Sequence, residues 1–450
     1  MNLNEITDQL SRNAEEKNFH NIRGILHDFH ASEIAGILDH LEPPLHSIIL
    51  NSLDNETASE VLLELDEQHR ADLLEKLDNE RIANIVEEMD SDDAADVIGE
   101  LSEDSAKTVL SKLDPEELKE VQTLLQYPED TAGGIMQTEI VEVRDDSTVR
   151  DAINWIRLIA DEIDDLQDIY VVDIQERLLG SVSPKRLLLT NPSTVITKIM
   201  DEIEATATPF IDQEQVAEIF EKYDIFALPV VDEHGKLLGR ITADDIIDVI
   251  TEEASEDMFQ LAGMQDQIHP IYTPTKTRIK LRTPWLLLTL FGELMIALVI
   301  VYAFKPTLEK IAILAAFMPA IMATGGNVGI QTTTIVIRGI GMGTVSYSQI
   351  LKLILAEVKV GFVIGLICGT VAAIAGTIIS RHEPQVYKLA LAVFVAMVSA
   401  TLATSFIGSA CPLMLQKLKF DPAAASGPFL TMFNDIFGSI VYLFIAMLIF

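Results

Sequence analysis

Apolar and polar positions change their rhythm twice along the chain. Over the first 125 residues an apolar residue is followed by an acidic or small polar one at Leu53-Asp54, Leu65-Asp66, Leu77-Asp78, Met89-Asp90, Leu101-Ser102 and Leu113-Asp114, a period of twelve. Each unit reads as a cap followed by a short amphipathic helix, as in DNETASEVLLEL and DNERIANIVEEM. A helix that short cannot bury its own apolar stripe, so the units are expected to stack into a superhelical array. From Met136 to Ile250 the rhythm becomes short β-rich runs alternating with helices, and it occurs twice. IYVVDIQERLLGSVSPKRLL at 169–188 and LPVVDEHGKLLGRITADDII at 228–247 align without a gap, 59 residues apart. After a polar helical connector from about Thr251 to Gly263, the chain turns almost wholly apolar. Five spans are expected, at about 285–304, 311–338, 351–379, 387–414 and 427–449, each long enough to cross roughly 30 Å of hydrocarbon. The second is expected to be interrupted at Thr324-Gly325-Gly326-Asn327.

Charge divides the chain in the same way. Residues 284–450 hold six acids and nine bases, so the formal net charge of −37 resolves into about −40 in front and +3 behind. A surface that acidic repels nucleic acid and collects cations, which makes divalent cations the expected partners. The two cysteines, Cys368 and Cys411, lie in apolar stretches and suggest no disulfide framework, a usage compatible with a reducing cytoplasm. The N-terminal MNLNEITDQLSRNAEEK lacks the layout of a secretory signal, so the front half is expected to be cytoplasmic. Lys276, Arg278, Lys280 and Arg282 precede the first span, and Arg338, Lys352, Lys417 and Lys419 follow on the same side. Against Lys305, Lys310, Arg381 and Lys388 opposite, this bias places Phe450 outside. No phosphate loop, nucleophile constellation or His/Cys metal set is visible, so an enzyme is not expected.

Polar chemistry at membrane depth is concentrated in two places. MPAIMATGGNVGIQTTTIVIRG (318–339) carries Gly325, Gly326, Asn327 and Gln331. Non-helical backbone at that depth is tolerated beside protein or a water-filled cavity, which argues for a pore; close helix packing on small residues is the alternative. In the last span, GPFLTMFNDIFGSIVYLF, Asp435 has no base in its own helix. A carboxylate at the membrane centre costs ~3 kcal/mol on insertion scales, so its default meaning is a functional site, with pairing to Arg338 or helix capping as the structural alternative. Gly427, Thr431, Asp435 and Gly438 share one stripe by spacing, with Asn434 beside it. Glu293 and Glu357 also lie at this depth, but neither is assigned to the pore; Glu357, among Lys352 and Lys359, reads as an interfacial ion pair. On the cytoplasmic side, ADDIIDVITEEASED (243–257) sets Asp245, Asp248, Glu252 and Glu256 three or four apart, a like-charged edge that costs stability unless cations neutralise it.

The duplicated segments resemble a tandem pair of CBS domains. Such pairs often bind adenine nucleotides through a Ser/Thr and an Asp three residues later, at a helix start suited to phosphate. Thr242 and Asp245 match in the second copy; the first has Ser183 but Arg186 in the acidic position. Tyr170, Ser183 and Thr242 are therefore candidate contacts for a regulatory nucleotide such as ATP, beside a purely structural pair.

GGNVGIQ followed by a Thr-rich helix and an Arg, a last span with ND-x-x-G, five spans, the CBS pair and the acidic repeat together resemble the MgtE magnesium channels. The resemblance covers nearly the whole chain. It implies a multidomain fold: an acidic α-helical repeat (superhelical) N domain at 1–128, tandem CBS (α/β) domains at 129–250, a connector (plug) helix and linker at 251–282, and a five-helix α transmembrane pore domain at 283–450. It further implies a homodimer in the bilayer of the bacterial plasma (inner) membrane, with its pore on the two-fold axis. Asp435 of both subunits would hold hydrated Mg²⁺, Asn327 and the carbonyls of the Gly325-Gly326 turn would help to line the pore, and Asp421 would stand at the cytoplasmic mouth. Asp421 before Pro also fits a plain N-cap. Regulatory magnesium sites match Glu60, Asp92, Asp96, Asp224, Asp245, Asp248, Glu253, Glu256 and Asp257, all acidic here. The mechanism expected is a charge latch: ions bridge the acidic faces and hold the pore shut, and their loss lets repulsion open it. The alternatives are an ion-coupled secondary transporter for divalent cations and a membrane-tethered nucleotide sensor. Choice among Mg²⁺, Mn²⁺, Co²⁺ and Ni²⁺ stays open.

Overall fold

The computed structural model describes residues 3–160, 166–264, 273–310, 312–341, 349–382, 384–418, 422 and 427–450. These form two compact units, Met1–Thr251 and Glu252–Phe450.

The front unit opens with ten helices: α1 (Leu3–Glu15), α2 (Phe19–Leu26), α3 (Ala31–Leu38), α4 (Pro43–Leu50), α5 (Asn55–Leu63), α6 (Glu67–Leu74), α7 (Asn79–Val86), α8 (Ser91–Gly99), α9 (Glu103–Leu110) and α10 (Pro115–Leu124). The twelve-residue rhythm is the rhythm of their N-caps, for Asp54, Asp66, Asp78, Asp90, Ser102 and Asp114 each precede a helix. Asp54 accepts from the Thr57 amide at 3.0 Å, and this bond holds its carboxyl below the usual range. Asp66 and Asp78 accept from the amides of His69 (3.1 Å) and Arg81 (2.8 Å). Alternate helices pack on one another, α3 on α5, α5 on α7, α7 on α9 and α8 on α10, so these short stripes are covered largely by second neighbours. The core comprises leucines, isoleucines and alanines such as Ile34, Leu50, Leu62, Ile82 and Ile98.

Two α/β copies follow. The first has β1 (Glu142–Arg144), α11 (Val149–Leu158), β2 (Ile169–Val172), β3 (Leu178–Val182) and α12 (Pro184–Leu189); the second has α13 (Gln213–Tyr223), β4 (Ala227–Val231), β5 (Leu237–Thr242) and α14 (Ala243–Leu261). β1 runs parallel to β2, which pairs antiparallel with β3; β4 and β5 pair antiparallel. The two hairpins repeat each other in detail. Asp173 Oδ1 accepts from the amides of Gln175 and Arg177, Asp232 Oδ1 from those of His234 and Lys236, and Glu176 and Gly235 hold the positive-φ position. The register shifts at Val171/Val172 in one and at Val230/Val231 in the other. The polar connector expected from Thr251 is no separate element: α14 runs unbroken from Ala243 through it.

In the second unit five helices are long and apolar enough to cross a membrane: Thr275–Glu309, Ala312–Gly341, Ile350–Ile379, Val386–Lys417 and Thr431–Ile449. The first comprises α15 (Thr275–Val299), a π-helical turn and α16 (Lys305–Lys310), and it takes the basic cluster at 276–282 into its opening turns. The others are α17 (Met318–Gly341) with a preceding 3₁₀ turn, α18 (Ile350–Ile379), α19 (Val386–Lys417) and α20 (Gly427–Ile449). One expectation is corrected here: α17 is helical through Thr324-Gly325-Gly326-Asn327, with no turn. Breaking the ladder at membrane depth would strand backbone amides, whereas two helical glycines cost only about 1 kcal/mol each against alanine. The carbonyls of Gly325 and Gly326 are therefore part of a helix.

Candidate cation sites

In the front unit the site is built from α8 and the start of α14. The first turn of α8 is held from outside: Glu139 accepts from the Ser91 amide at 3.1 Å and from its hydroxyl at 2.8 Å, and the Thr138 amide donates to Ser91 Oγ at 2.8 Å. The preceding residue, Gln137, forms a backbone bridge with Arg240 of β5, and the buried Arg240 Nε donates to Gln137 Oε1 at 2.9 Å. β5 ends at Thr242, whose amide (3.1 Å) and hydroxyl (2.5 Å) both donate to Asp245 in the first turn of α14. None of these clamping groups except Asp245 is an acid of the cluster they position.

That clamp sets Asp92 and Asp93 of α8 against Asp245, with Asp90 and Asp244 close enough to add to the repulsion. Asp92 is 6% exposed and its Oδ1 has no hydrogen-bond partner. Burial first, then Asp245, pushes the Asp92 carboxyl well up. The same causes in the same order take Asp93 to about 7, and burial takes Asp245 to about 6. Arg70 offsets part of the charge at Asp93 without cancelling the upward shift, and the oxygens of Asp92, Asp93 and Asp245 are of the hard type that suits a divalent ion such as Mg²⁺.

Not all the expected regulatory acids converge. Glu60, Asp224 and Asp248 are exposed, and Asp224 is the left-handed C-cap of α13. Asp96 is on the open side of α8, yet burial of its carboxyl pushes it up to about 7, within the charge field of Arg70 and Asp93. Glu253, Glu256 and Asp257 lie along the second half of α14, where Glu256 Oε1 accepts from Gln260 Nε2 at 2.7 Å. Asp93 was not singled out by the spacing, although it stands in the same Ser-Asp-Asp run as Asp92.

The candidate nucleotide residues are placed differently from expectation. Tyr170 is 2% exposed within β2, so its ring offers no stacking face. Ser183 caps α12, accepting from the Arg186 amide, and Arg186 pairs with Asp201. Thr242 is engaged by Asp245. A cavity of about 320 Å³ lies along α13, lined by Ala205, Thr206, Glu218, Ile219, Lys222 and Tyr223, and none of the three borders it.

In the membrane unit Asp435 is partly buried on α20. Its neighbour Asn434, 3% exposed, ties it to α17, for Asn434 Nδ2 donates to the Met322 carbonyl at 3.0 Å and to Asp435 Oδ1 at 3.3 Å. Tyr442 OH adds a second tie at 2.9 Å to the Leu314 carbonyl. The paired glycines explain the fit: a Cβ on Gly325 would stand 2.9 Å from Asn434 Oδ1, and one on Gly326 would stand 3.1 Å from Asn434 Nδ2. Gly438, one turn beyond Asp435, borders open space within 4 Å of where a Cβ would lie. α15 packs on α20, and its Glu293 carboxyl lies near enough to act on that of Asp435. Asn327 and Arg338 lie on exposed faces of α17, and Asp421 is outside the described residues. Glu357 of α18 accepts from Thr332 Oγ1 at 3.2 Å, a helix-to-helix bond in place of the expected lysine pair. Among the described residues, no three His, Cys, Asp or Glu side chains converge with direct metal-ligand geometry.

An acidic helical array, a CBS pair and five apolar helices with a carboxylate clasped at membrane depth define a multidomain membrane transport protein for cations. Models of known families agree, matching a divalent cation transporter domain at 318–445, an intracellular N domain at 29–130 and a CBS domain at 196–252. A magnesium transporter of Bacillus subtilis is 34% identical over 72% of this chain and 71% of its own, and one of Enterococcus faecalis is 36% identical over 73% and 71%. The cytosolic domain of a Mg²⁺ channel, solved in complex with ATP, is 34% identical, covers 54% of this chain and 99% of its own, and superposes with a TM-score of 0.51. The chain belongs to the MgtE family of magnesium transporters.

Proposed function

We propose that this protein is a magnesium channel of the bacterial plasma membrane, gated from the cytoplasm by magnesium bound to its acidic front half. It acts as a homodimer with five spans per protomer, the N-terminus inside and Phe450 outside. The observation that carries the reading is Asp435, a carboxylate held at membrane depth by Asn434 and beside open space at Gly438. Mg²⁺ gives up its waters reluctantly, so a wide ring of carboxylates can hold the hydrated ion, and two such carboxylates match a 2+ charge better than a 1+ charge.

Gating follows from the α8–α14 cluster. With magnesium present, Asp92, Asp93 and Asp245 are neutralised and the clamped arrangement is stable; without it, their repulsion favours separation. Each ion supplies a modest bias, and several together move a two-state equilibrium far. Glu60, Asp96, Asp224, Asp248, Glu253, Glu256 and Asp257 are proposed to add further ions. ATP regulation is carried over from the structural relative solved in complex with ATP, and the α13 cavity is the site proposed for it here. Single-channel recording of reconstituted protein, with magnesium varied on the front-half side, tests permeation and gating together. Discrete openings that become rarer as magnesium rises are expected; smooth, saturable flux without unitary currents would favour a carrier.

A further inference from the structure

We propose that Glu293 is a second acid of the permeation site, facing the hydrated cation together with Asp435 and setting the preference for doubly charged ions. The inference rests on the pore reading of Asp435, and sequence spacing had left Glu293 without a role.

Three observations point to it. First, Glu293 belongs to α15 and Asp435 to α20, helices far apart in sequence that pack on each other, and the Glu293 carboxyl lies near enough to act on that of Asp435. Second, the approach is built in: Gly292 lies so near Met432 that a Cβ there would stand 2.2 Å from Met432 Cγ. Met432 and Asp435 are one turn apart on the same face of α20, so the glycine seats Glu293 against Asp435. Third, Asn434 is 3% exposed and donates to Asp435, while its own Oδ1 has no hydrogen-bond partner. That Oδ1 faces Gly325 of α17, and Nδ2 is the side-chain donor recorded for Asp435 among the described residues, so the amide and the two neighbouring carboxyl groups are together short of donors. The waters of a hydrated divalent ion are donors, and its charge removes the repulsion between two ionised acids. A monovalent ion offsets half as much charge and so gains less from the second acid.

A purely structural role would make the contact a helix-to-helix hydrogen bond, which glutamine preserves. The test is therefore Glu293→Gln in the reconstituted full-length channel, read as magnesium block of the sodium current carried when divalent ions are removed. Asp435→Asn is measured beside it. The half-blocking magnesium concentration is expected to rise about tenfold or more in Glu293→Gln. Glu293→Asp keeps the charge but draws it back by one methylene; it is expected to retain the block and to alter the order among Mg²⁺, Mn²⁺, Co²⁺ and Ni²⁺. If Asp435→Asn changes the block while both Glu293 variants behave as the parent, the proposal for Glu293 is overturned and the pore reading stands. If Asp435→Asn also leaves block and selectivity untouched, both fall.

Discussion

Asp93 offers a direct measure of how strongly the acidic cluster works against the fold. Its folded-state carboxyl titrates at about 7 against an ordinary 3.8, mainly through burial and Asp245. Because the folded value is raised, the arrangement is at its most stable below pH 3.8 and loses stability as pH climbs through 7. Three units of displacement correspond to about 4 kcal/mol withheld once the group is ionised, at 1.36 kcal/mol per unit. Asp93→Asn removes the charge while keeping the shape. For domains of this size 1 kcal/mol moves the melting temperature by roughly 2–4 °C, so the variant is expected to melt about 8–16 °C higher than the parent in chelator at pH 7.5. The same variant is expected to gain less from millimolar magnesium. At pH 5 the difference is expected to shrink to about 2 kcal/mol, because the unfolded carboxyl still ionises above 3.8, and the two proteins are expected to converge only below that pH. Thermal unfolding of full-length protein by circular dichroism, with and without magnesium at both pH values, makes the measurement. Equal melting of parent and variant in chelator at pH 7.5 would show that repulsion at α8 is not what magnesium relieves.

Other sites give independent expectations. His46 and His69 are buried with a 2.8 Å bond between their rings, and burial lowers both titrations. Their stability contribution is present above 6.5 and lost as pH falls, so His69→Gln is expected to flatten the acid limb of a stability–pH curve. Gln137→Leu strands the buried Arg240 Nε, and a loss of about 2 kcal/mol in front-half stability together with weaker magnesium protection against protease is expected. Gly365→Val would force a Cβ to within 2.9 Å of the Val398 Cα, and a loss of about 1–3 kcal/mol in the membrane unit is expected from detergent melting curves. Asn434→Ala frees the Asp435 carboxylate and removes a buried tie to α17, so broader selectivity in ion-flux assays and a loss of about 1–3 kcal/mol in detergent melting are expected.

What could be read in advance was chemistry with a local cause. The caps at Asp54, Asp66 and Asp78 announce helices because a side-chain oxygen satisfies amides two or three residues away. The hairpins announce themselves through Asp173 and Asp232 for the same reason, and the lone acid in the last span stands out by solvation cost alone. What escaped was set by partners distant in sequence. Asp93 matters only because Gln137 and Arg240 dock β5 beside α8, and Glu293 only because Gly292 admits Met432. The paired glycines were legible as unusual but misread as a break. Their use is clearance for Asn434, a residue more than a hundred positions later.

The alternate packing of the front helices sets a parity rule for the length of the array. A segment of twelve residues carries its own cap, yet along α3, α5, α7 and α9 the helix rests on its second neighbour. Removing one segment would therefore hand every later helix to the opposite stack and turn the α8 acids away from β5. Removing two would restore the order. Deleting twenty-four residues from the array is accordingly expected to be tolerated better than deleting twelve.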